Sequence, residues 1–310
     1  MPTRPNNTAT LIAGYSAEFF RNRSEVVQTV ESLDIEPEAA QYLIDYPKSS
    51  TAGTTLLCRQ IYDIATASRE ASPIQRQQVG RIGGLMLLLT DIVDSQVDRP
   101  DIALHEREGY LDAGLAVLLH GDRAKPDPPA KNRAQRISFA LARTLHETVV
   151  QKDEEGYFAT VFESLVPSVN RQLSSTDPTE QLKLAQEVGG LCALLGVAST
   201  EYATRTTHPE ARIAAASIGA YAECLDHAYE MREDIMQGIP TYATLYLREH
   251  GDTPANRNKA KEDLLDAGSD SYKEGLEALD REQRPVYRAT CRMLEVRYRF
   301  IKNLSDRIKF

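Results

Sequence analysis

The sequence predicts an all-α fold, a helical bundle forming a single domain over residues 1–310. Three observations carry that expectation. Apolar residues recur at helical spacing along almost the whole chain. Strand signals are nearly absent, with neither alternating β-branched runs nor Asn-Gly hairpin turns. Proline and glycine fall where the periodic stretches should begin and end.

In chain order, helices are expected over 16–33, 37–45, 52–68, 73–98, 102–120, 128–150, 154–174, 178–206, 209–237, 240–249, 255–266, 270–279 and 282–307. Ser72-Pro73 and Asp177-Pro178 each open a helix with proline in its first turn, where the missing N–H costs nothing. Arg99-Pro100 stops the helix before it, because proline disfavours helical geometry in the preceding residue. Lys125-Pro126-Asp127-Pro128-Pro129 and Gly251-Asp252-Thr253-Pro254 read as loops, neither long enough to link separate domains. The central helices are apolar on more than one face, as expected inside a bundle.

Composition narrows the classes of function. Of 310 residues, 42% are hydrophobic and 26% charged, ordinary globular usage that needs no disulfide or structural metal. The net charge of −9 argues against a general nucleic-acid binder, which would show a basic face. The four cysteines are far apart and read as buried free thiols in a reducing compartment. The N-terminal stretch lacks the apolar core of a signal peptide, and no run approaches the roughly 20 apolar residues of a membrane span. A cytoplasmic protein without stable membrane insertion is expected.

Two acidic clusters stand out. An apolar stretch, Leu85 to Leu89, runs into Asp91, Asp94 and Asp98. At about 100° per residue these three fall within an arc of roughly 60°. Carboxylates near a helix C-terminus oppose the helix dipole, so three on one stripe repel unless hydrated or bound to cations. The second cluster is Asp226, Glu230 and Asp234, spaced at i, i+4 and i+8, with Glu223 and Glu233 beside them, after the small residues of Ala214 to Ala222. The plain reading of either cluster alone is a solvated helix face. Two of them, each continuing an apolar central helix, point instead to hard cations, Mg²⁺ above all. Mg²⁺ takes few carboxylates and fills its shell with phosphate oxygens, so two such stripes and a diphosphate would make a coherent site.

This ordered pair of acidic motifs in an all-α chain resembles the class I isoprenoid-diphosphate enzymes. Asp91-Ile92-Val93-Asp94-Ser95-Gln96-Val97-Asp98-Arg99 is similar to the aspartate motif of the bacterial large-terpene synthases, the tetraprenyl-β-curcumene synthase type. Leu225-Asp226-His227-Ala228-Tyr229-Glu230-Met231-Arg232-Glu233-Asp234, followed by Gly238, resembles their second motif. Glu230 stands where an aspartate is more usual, and His227 departs from an expected aromatic. The resemblance covers roughly residues 80 to 245. It implies the isoprenoid-synthase bundle with a central cavity, a prenyl diphosphate substrate, and Mg²⁺ held by Asp91, Asp94, Asp98, Asp226, Glu230 and Asp234.

A diphosphate also needs cationic clamps. The candidates are Arg81, Arg99, Lys183, Arg205 and Arg232, with Arg205 and Arg232 preferred as catalytic partners of Asp91 and Asp94. Gly189-Gly190 interrupts an otherwise good helix at roughly 1 kcal/mol apiece; the resemblance implies that it shapes the substrate pocket, and close helix packing is the alternative. Arg297-Tyr298 resembles a pair that some terpene synthases place over the diphosphate. Tyr157, Phe158, Phe162, Tyr242 and Tyr246 lie at helical spacing, as core or as walls of a cation-stabilising cavity.

The expected reaction is ionisation of a linear prenyl diphosphate followed by cyclisation or quenching of the carbocation. A prenyltransferase of the squalene or phytoene synthase type, joining two prenyl diphosphates, is the nearest alternative, and a non-catalytic helical scaffold the next. A homodimer stays open. Di-iron Glu-x-x-His pairs, a His-Glu-x-x-His zinc motif, a Walker loop and a Gly-x-Ser-x-Gly elbow are all absent from the sequence.

Overall fold

The structure is a computed structural model that describes residues 7–31, 37–45, 48–67, 69, 72–97, 99, 101–124 and 132–307. Twelve α-helices run through these residues: α1 (Thr8–Glu31), α2 (Pro37–Asp45), α3 (Lys48–Ala65), α4 (Pro73–Val97), α5 (Leu104–His120), α6 (Arg133–Thr148), α7 (Tyr157–Ser174), α8 (Pro178–Thr204), α9 (Pro209–Gln237), α10 (Tyr242–His250), α11 (Pro254–Glu277) and α12 (Arg284–Arg307). No strand occurs among the described residues. Of the sequence-stated features, Asp98 and the proline-rich loop at 125–129 lie outside the described residues.

The ends of the helices follow local chemistry. Asn7 accepts the Ala9 N–H at 2.9 Å, so α1 begins eight residues earlier than the periodicity suggests, at Thr8. Asn132 caps α6 through the Gln135 N–H at 2.9 Å. Thr241 and Thr244 form a reciprocal capping box at the start of α10. Gly238, at φ 71°, closes α9, and the Ile239 N–H reaches back to the Asp234 carbonyl at 3.0 Å, the geometry of a left-handed helix stop.

One division fails. The expected helices 255–266 and 270–279 are a single helix, α11. Gly268 lies inside it because a Cβ there would stand 3.1 Å from the Cys224 Cβ on α9. The glycine is spent on close packing and does not end the helix.

The chain divides into two compact units. The first comprises Ala13–Val166 and Leu195–His208. Within it α4 packs on α3, α5 and α6, and Leu88, Ile92 and Val97 are almost fully buried. α1 is tied on by a buried polar network. Arg59 donates to Asn22 at 2.9 Å and to Glu18 and Glu25, while Arg76 grips both Glu18 oxygens at 2.9 and 2.7 Å and also donates to Asp63. The Tyr15 hydroxyl donates to the same Asp63. Charges this deep persist because each has a partner; removing one would strand the others.

The second unit comprises Met1–Ile12, Pro167–Leu194 and Pro209–Phe310. Here α9 lies between α11 and α12, and α10 closes the end. Ala228, Tyr242, Ala243, Ala260 and Leu264 form its buried cluster. Among the described residues, α8 alone is long and apolar enough to cross a membrane, with 61% of that stretch buried. This departs from the expectation that no run approaches a membrane span, and its burial is that of a core helix. Cys58, Cys224 and Cys291 are buried as expected, whereas Cys192 is exposed on α8.

Candidate metal and diphosphate site

The first stripe lies on the last two turns of α4. Asp91 is half-buried and Asp94 is exposed, while Ile92 between them is fully buried, so the helix keeps its apolar face inward and its acids outward. The end of α4 is held from two sides. Arg107 on α5 donates to the Val97 carbonyl at 2.8 Å, placing a cation against the negative end of the helix dipole. The Asn132 amide donates to Gln96 at 3.0 Å, joining the start of α6 to the same turn. Asp94 also acts on Tyr110 of α5. Burial pushes that phenol up to about 12, and the Asp94 charge adds to the rise.

Beside this end of α4 is a cleft of about 260 Å³ lined by Tyr42, Gln96, Arg99, Asn132, Arg133 and Ala134. Two guanidinium groups and two amides line it, and none of the described lining residues is a carboxylate. Arg99 also pairs with Asp101 at 2.5 Å, an exposed contact.

The second stripe lies on α9. Asp226 and Glu230 are half-buried and Asp234 is buried. Burial pushes the Asp226 carboxyl up to about 7, with repulsion from Glu223 and Asp234 adding to it and His227 and Arg297 opposing it. Burial likewise raises Glu230 to about 7, reinforced by Asp226 and Glu233. His227 is buried, and its Nε2 lies 3.4 Å from Glu223 Oε1. Burial pulls its pKa down, but Glu223, Asp226 and Asp234 outweigh that and raise it to about 9. The carboxylates around His227 therefore favour its protonated form. The Arg297 charge on α12 also acts on Asp226 and Glu230, opposing their rise. Tyr298 beside it is buried and held well above its ordinary value by burial and by Asp226.

Other expected residues fall elsewhere. Arg205 is not brought to the first stripe. It sits in the turn after α8 at φ 51°, over the Tyr202 ring at 4.8 Å, donating to the Lys152 carbonyl at 3.4 Å. Gln75, at the N-terminal end of α4, bonds the Ala203 carbonyl of that turn. Asp91 is sixteen residues farther along α4, about 24 Å away at 1.5 Å per residue. The reason is helix direction: the C-terminal end of α8 meets the N-terminal end of α4.

Arg232 is exposed and lies about 200° around α9 from Glu230, on the opposite face. Arg81 and Lys183 are exposed on α4 and α8. Gly189 and Gly190 take the packing alternative. A Cβ on Gly189 would meet the Gly219 carbonyl oxygen at 2.5 Å, and one on Gly190 the Ala216 carbonyl oxygen at 3.2 Å, so their bare faces are filled by α9 and not by a pocket. Phe158 is fully buried against Phe162, at a centroid distance of 5.3 Å, as core.

Among the described residues no three His, Cys, Asp or Glu side chains converge closely enough to hold a metal by themselves. What the stripes offer is carboxylate oxygens without a closed set of three protein donors. That donor set fits Mg²⁺ completed by phosphate oxygens better than a cage built by protein alone.

No family model and no curated protein matches the sequence. Solved structures do resemble the fold. A geranylgeranyl pyrophosphate synthase from Corynebacterium glutamicum, crystallised with isoprenyl diphosphate and magnesium, is 9% identical, with 90% of this chain and 98% of that chain covered and a TM-score of 0.57. A linalool/nerolidol synthase from Streptomyces clavuligerus, in complex with 2-fluorogeranyl diphosphate, is 13% identical over 91% of this chain and 94% of that one, with a TM-score of 0.51. A further geranylgeranyl pyrophosphate synthase is 12% identical over 96% and 99%, with a TM-score of 0.50. The chain has the all-α fold that these enzymes share.

Proposed function

We propose that this chain is a class I terpene synthase, a soluble cytoplasmic enzyme in which residues 1–310 act as one domain on a linear prenyl diphosphate. The observation that carries the reading is the second stripe. Asp226 and Glu230 are both raised to about 7 on one face of α9, next to Arg297 and the charged His227. Buried carboxylates that repel one another are a standing demand for cations.

Asp91, Asp94, Asp226, Glu230 and Asp234 would hold Mg²⁺, with Asp98 completing the first motif. When bound, Mg²⁺ supplies positive charge that stabilises the departing diphosphate. Arg297 adds a guanidinium able to grip phosphate oxygens in a bidentate manner. Tyr298, kept protonated by burial and by Asp226, would serve as a hydrogen-bond donor and not as a base. The likeness to a terpene synthase and to prenyl-diphosphate synthases supports a reaction on this class of substrate.

The arginine-lined cleft at the end of α4 favours a second reading. A cleft presenting Arg99 and Arg133 suits a second anionic group, which is what a coupling prenyltransferase requires and a cyclase does not. Incubation with C10 to C35 prenyl diphosphates, singly and in pairs, separates the two. A cyclase releases diphosphate and a hydrocarbon or alcohol from one substrate alone. A coupling enzyme yields a longer chain. No diphosphate release from any of them, with no thermal stabilisation by Mg²⁺ and pyrophosphate, leaves the helical scaffold.

A further inference from the structure

Beside the second stripe two stacked rings lie between two cations, drawn from three helices. Lys261 Nζ on α11 lies 4.8 Å from the centre of the Tyr229 ring on α9. That ring stacks on Tyr298 of α12, with centroids 6.4 Å apart and planes 3° from parallel. The Arg297 guanidinium lies 5.7 Å from the centre of the Tyr298 ring. Tyr229 occupies the position between Ala228 and Glu230, three residues after Asp226, so the stacked pair is anchored inside the stripe.

Lys261 owes its place to rigid neighbours. Ala260 and Leu264 are fully buried in the cluster that also contains Ala228 and Tyr242. Gly268, two turns on, presses against Cys224 and Tyr221. The backbone of α11 is therefore fixed against α9 on either side of the lysine. Lys261 lies in a half-buried site and sets its ammonium over an aromatic face, a contact that depends on charge as well as on packing.

We propose that Lys261 is a positioning residue for diphosphate binding at the second stripe: by holding Tyr229 against Tyr298 it fixes Arg297 towards Asp226 and Glu230. The proposal rests on the metal–diphosphate reading of that stripe. It predicts that the charge of Lys261 matters although the residue touches neither metal nor phosphate.

The test is calorimetric binding of inorganic pyrophosphate to the full chain in the presence of Mg²⁺. Lys261→Met keeps the stem and removes the charge, and should weaken binding about fivefold, the equivalent of one good cation–π contact. Lys261→Arg keeps a cation over the ring and should restore affinity to within about twofold of the parent. Tyr229→Leu should weaken binding as Lys261→Met does, and adding Lys261→Met to it should cost nothing more, because the two act as one unit. Tyr229→Phe, which retains the ring face, serves if the leucine variant misfolds; it should bind like the parent and remain sensitive to Lys261→Met. Equal affinity of the parent and Lys261→Met overturns the proposal alone, and so do losses that simply add. A parent chain that binds no pyrophosphate with Mg²⁺ overturns the reading of the stripe and this proposal with it.

Discussion

Replacing Asp226 by asparagine should stabilise the metal-free protein at pH 8 and leave it unchanged near pH 4. The carboxyl is raised from an ordinary 3.8 to about 7. Taken alone that corresponds to about 4 kcal/mol of preference for the protonated form. Glu230 rises to about 7 through burial and the mutual repulsion with Asp226, so the two share part of the penalty, and removing one charge returns about 2 kcal/mol.

The sign follows from proton binding. A carboxyl whose folded pKa exceeds its unfolded value contributes stability in full below the unfolded value, and that contribution is lost as pH rises to the folded value. The parent chain therefore loses stability between about pH 4 and 7 from this group, and the asparagine variant does not. At pH 8 the variant should melt about 3–5 °C higher. With Mg²⁺ and pyrophosphate the order should reverse, because the parent gains by ligand linkage what the variant has lost the oxygen to bind. Thermal melts by circular dichroism at pH 4 and 8, with and without Mg²⁺ and pyrophosphate, read all four corners. A variant less stable than the parent at pH 8, or a difference independent of pH, would refute the electrostatic account of the stripe.

Other outcomes follow from the same structure. Asp91→Asn and Asp94→Asn, at half-buried and exposed positions, should change stability by no more than about 0.5 kcal/mol while slowing diphosphate release from an accepted substrate by orders of magnitude. Binding of pyrophosphate with Mg²⁺ should strengthen from pH 6 to 8, since Asp226 and Glu230 must lose their protons to take a metal, and calorimetry in buffers of different ionisation enthalpy should register proton release. Arg59→Met should cost about 3 kcal/mol in urea unfolding, because Glu18 and Glu25 lose their buried partner. Gly219→Ala should cost about 3 kcal/mol, as its Cβ would stand 1.9 Å from the Gly189 carbonyl oxygen, and should be harsher than alanine at the exposed Gly14, where nothing lies within 4 Å.

The acidic stripes were legible because helical spacing is local: Asp91 with Asp94, and Asp226 with Glu230 and Asp234, share faces whatever the rest of the chain does. The cations were harder to place. Proximity along a helix says nothing about azimuth or about which end of a neighbour it meets: Arg205 sits at the end of α8 that meets the start of α4, and Arg232 lies on the opposite face of α9 from Glu230. Arg297 acts on Asp226 because α12 packs on α9. Lys261 gave no signal, since only the approach of α11 sets it over Tyr229.

By itself the sequence determined that this protein is helical, where most of its helices begin and end, and that two of them carry one-sided acid. Periodicity, caps and the closing glycine at 238 act over a few residues, so a linear string contains them. The tertiary structure decided the rest. It joined 255–266 to 270–279 because Gly268 was needed against α9, assigned Gly189 and Gly190 to helix packing, and made His227 a cation by surrounding it with Glu223, Asp226 and Asp234. A buried charge takes its state from every element packed against it, and a glycine its purpose from the atom facing its missing Cβ; neither is a property of neighbouring letters in the chain.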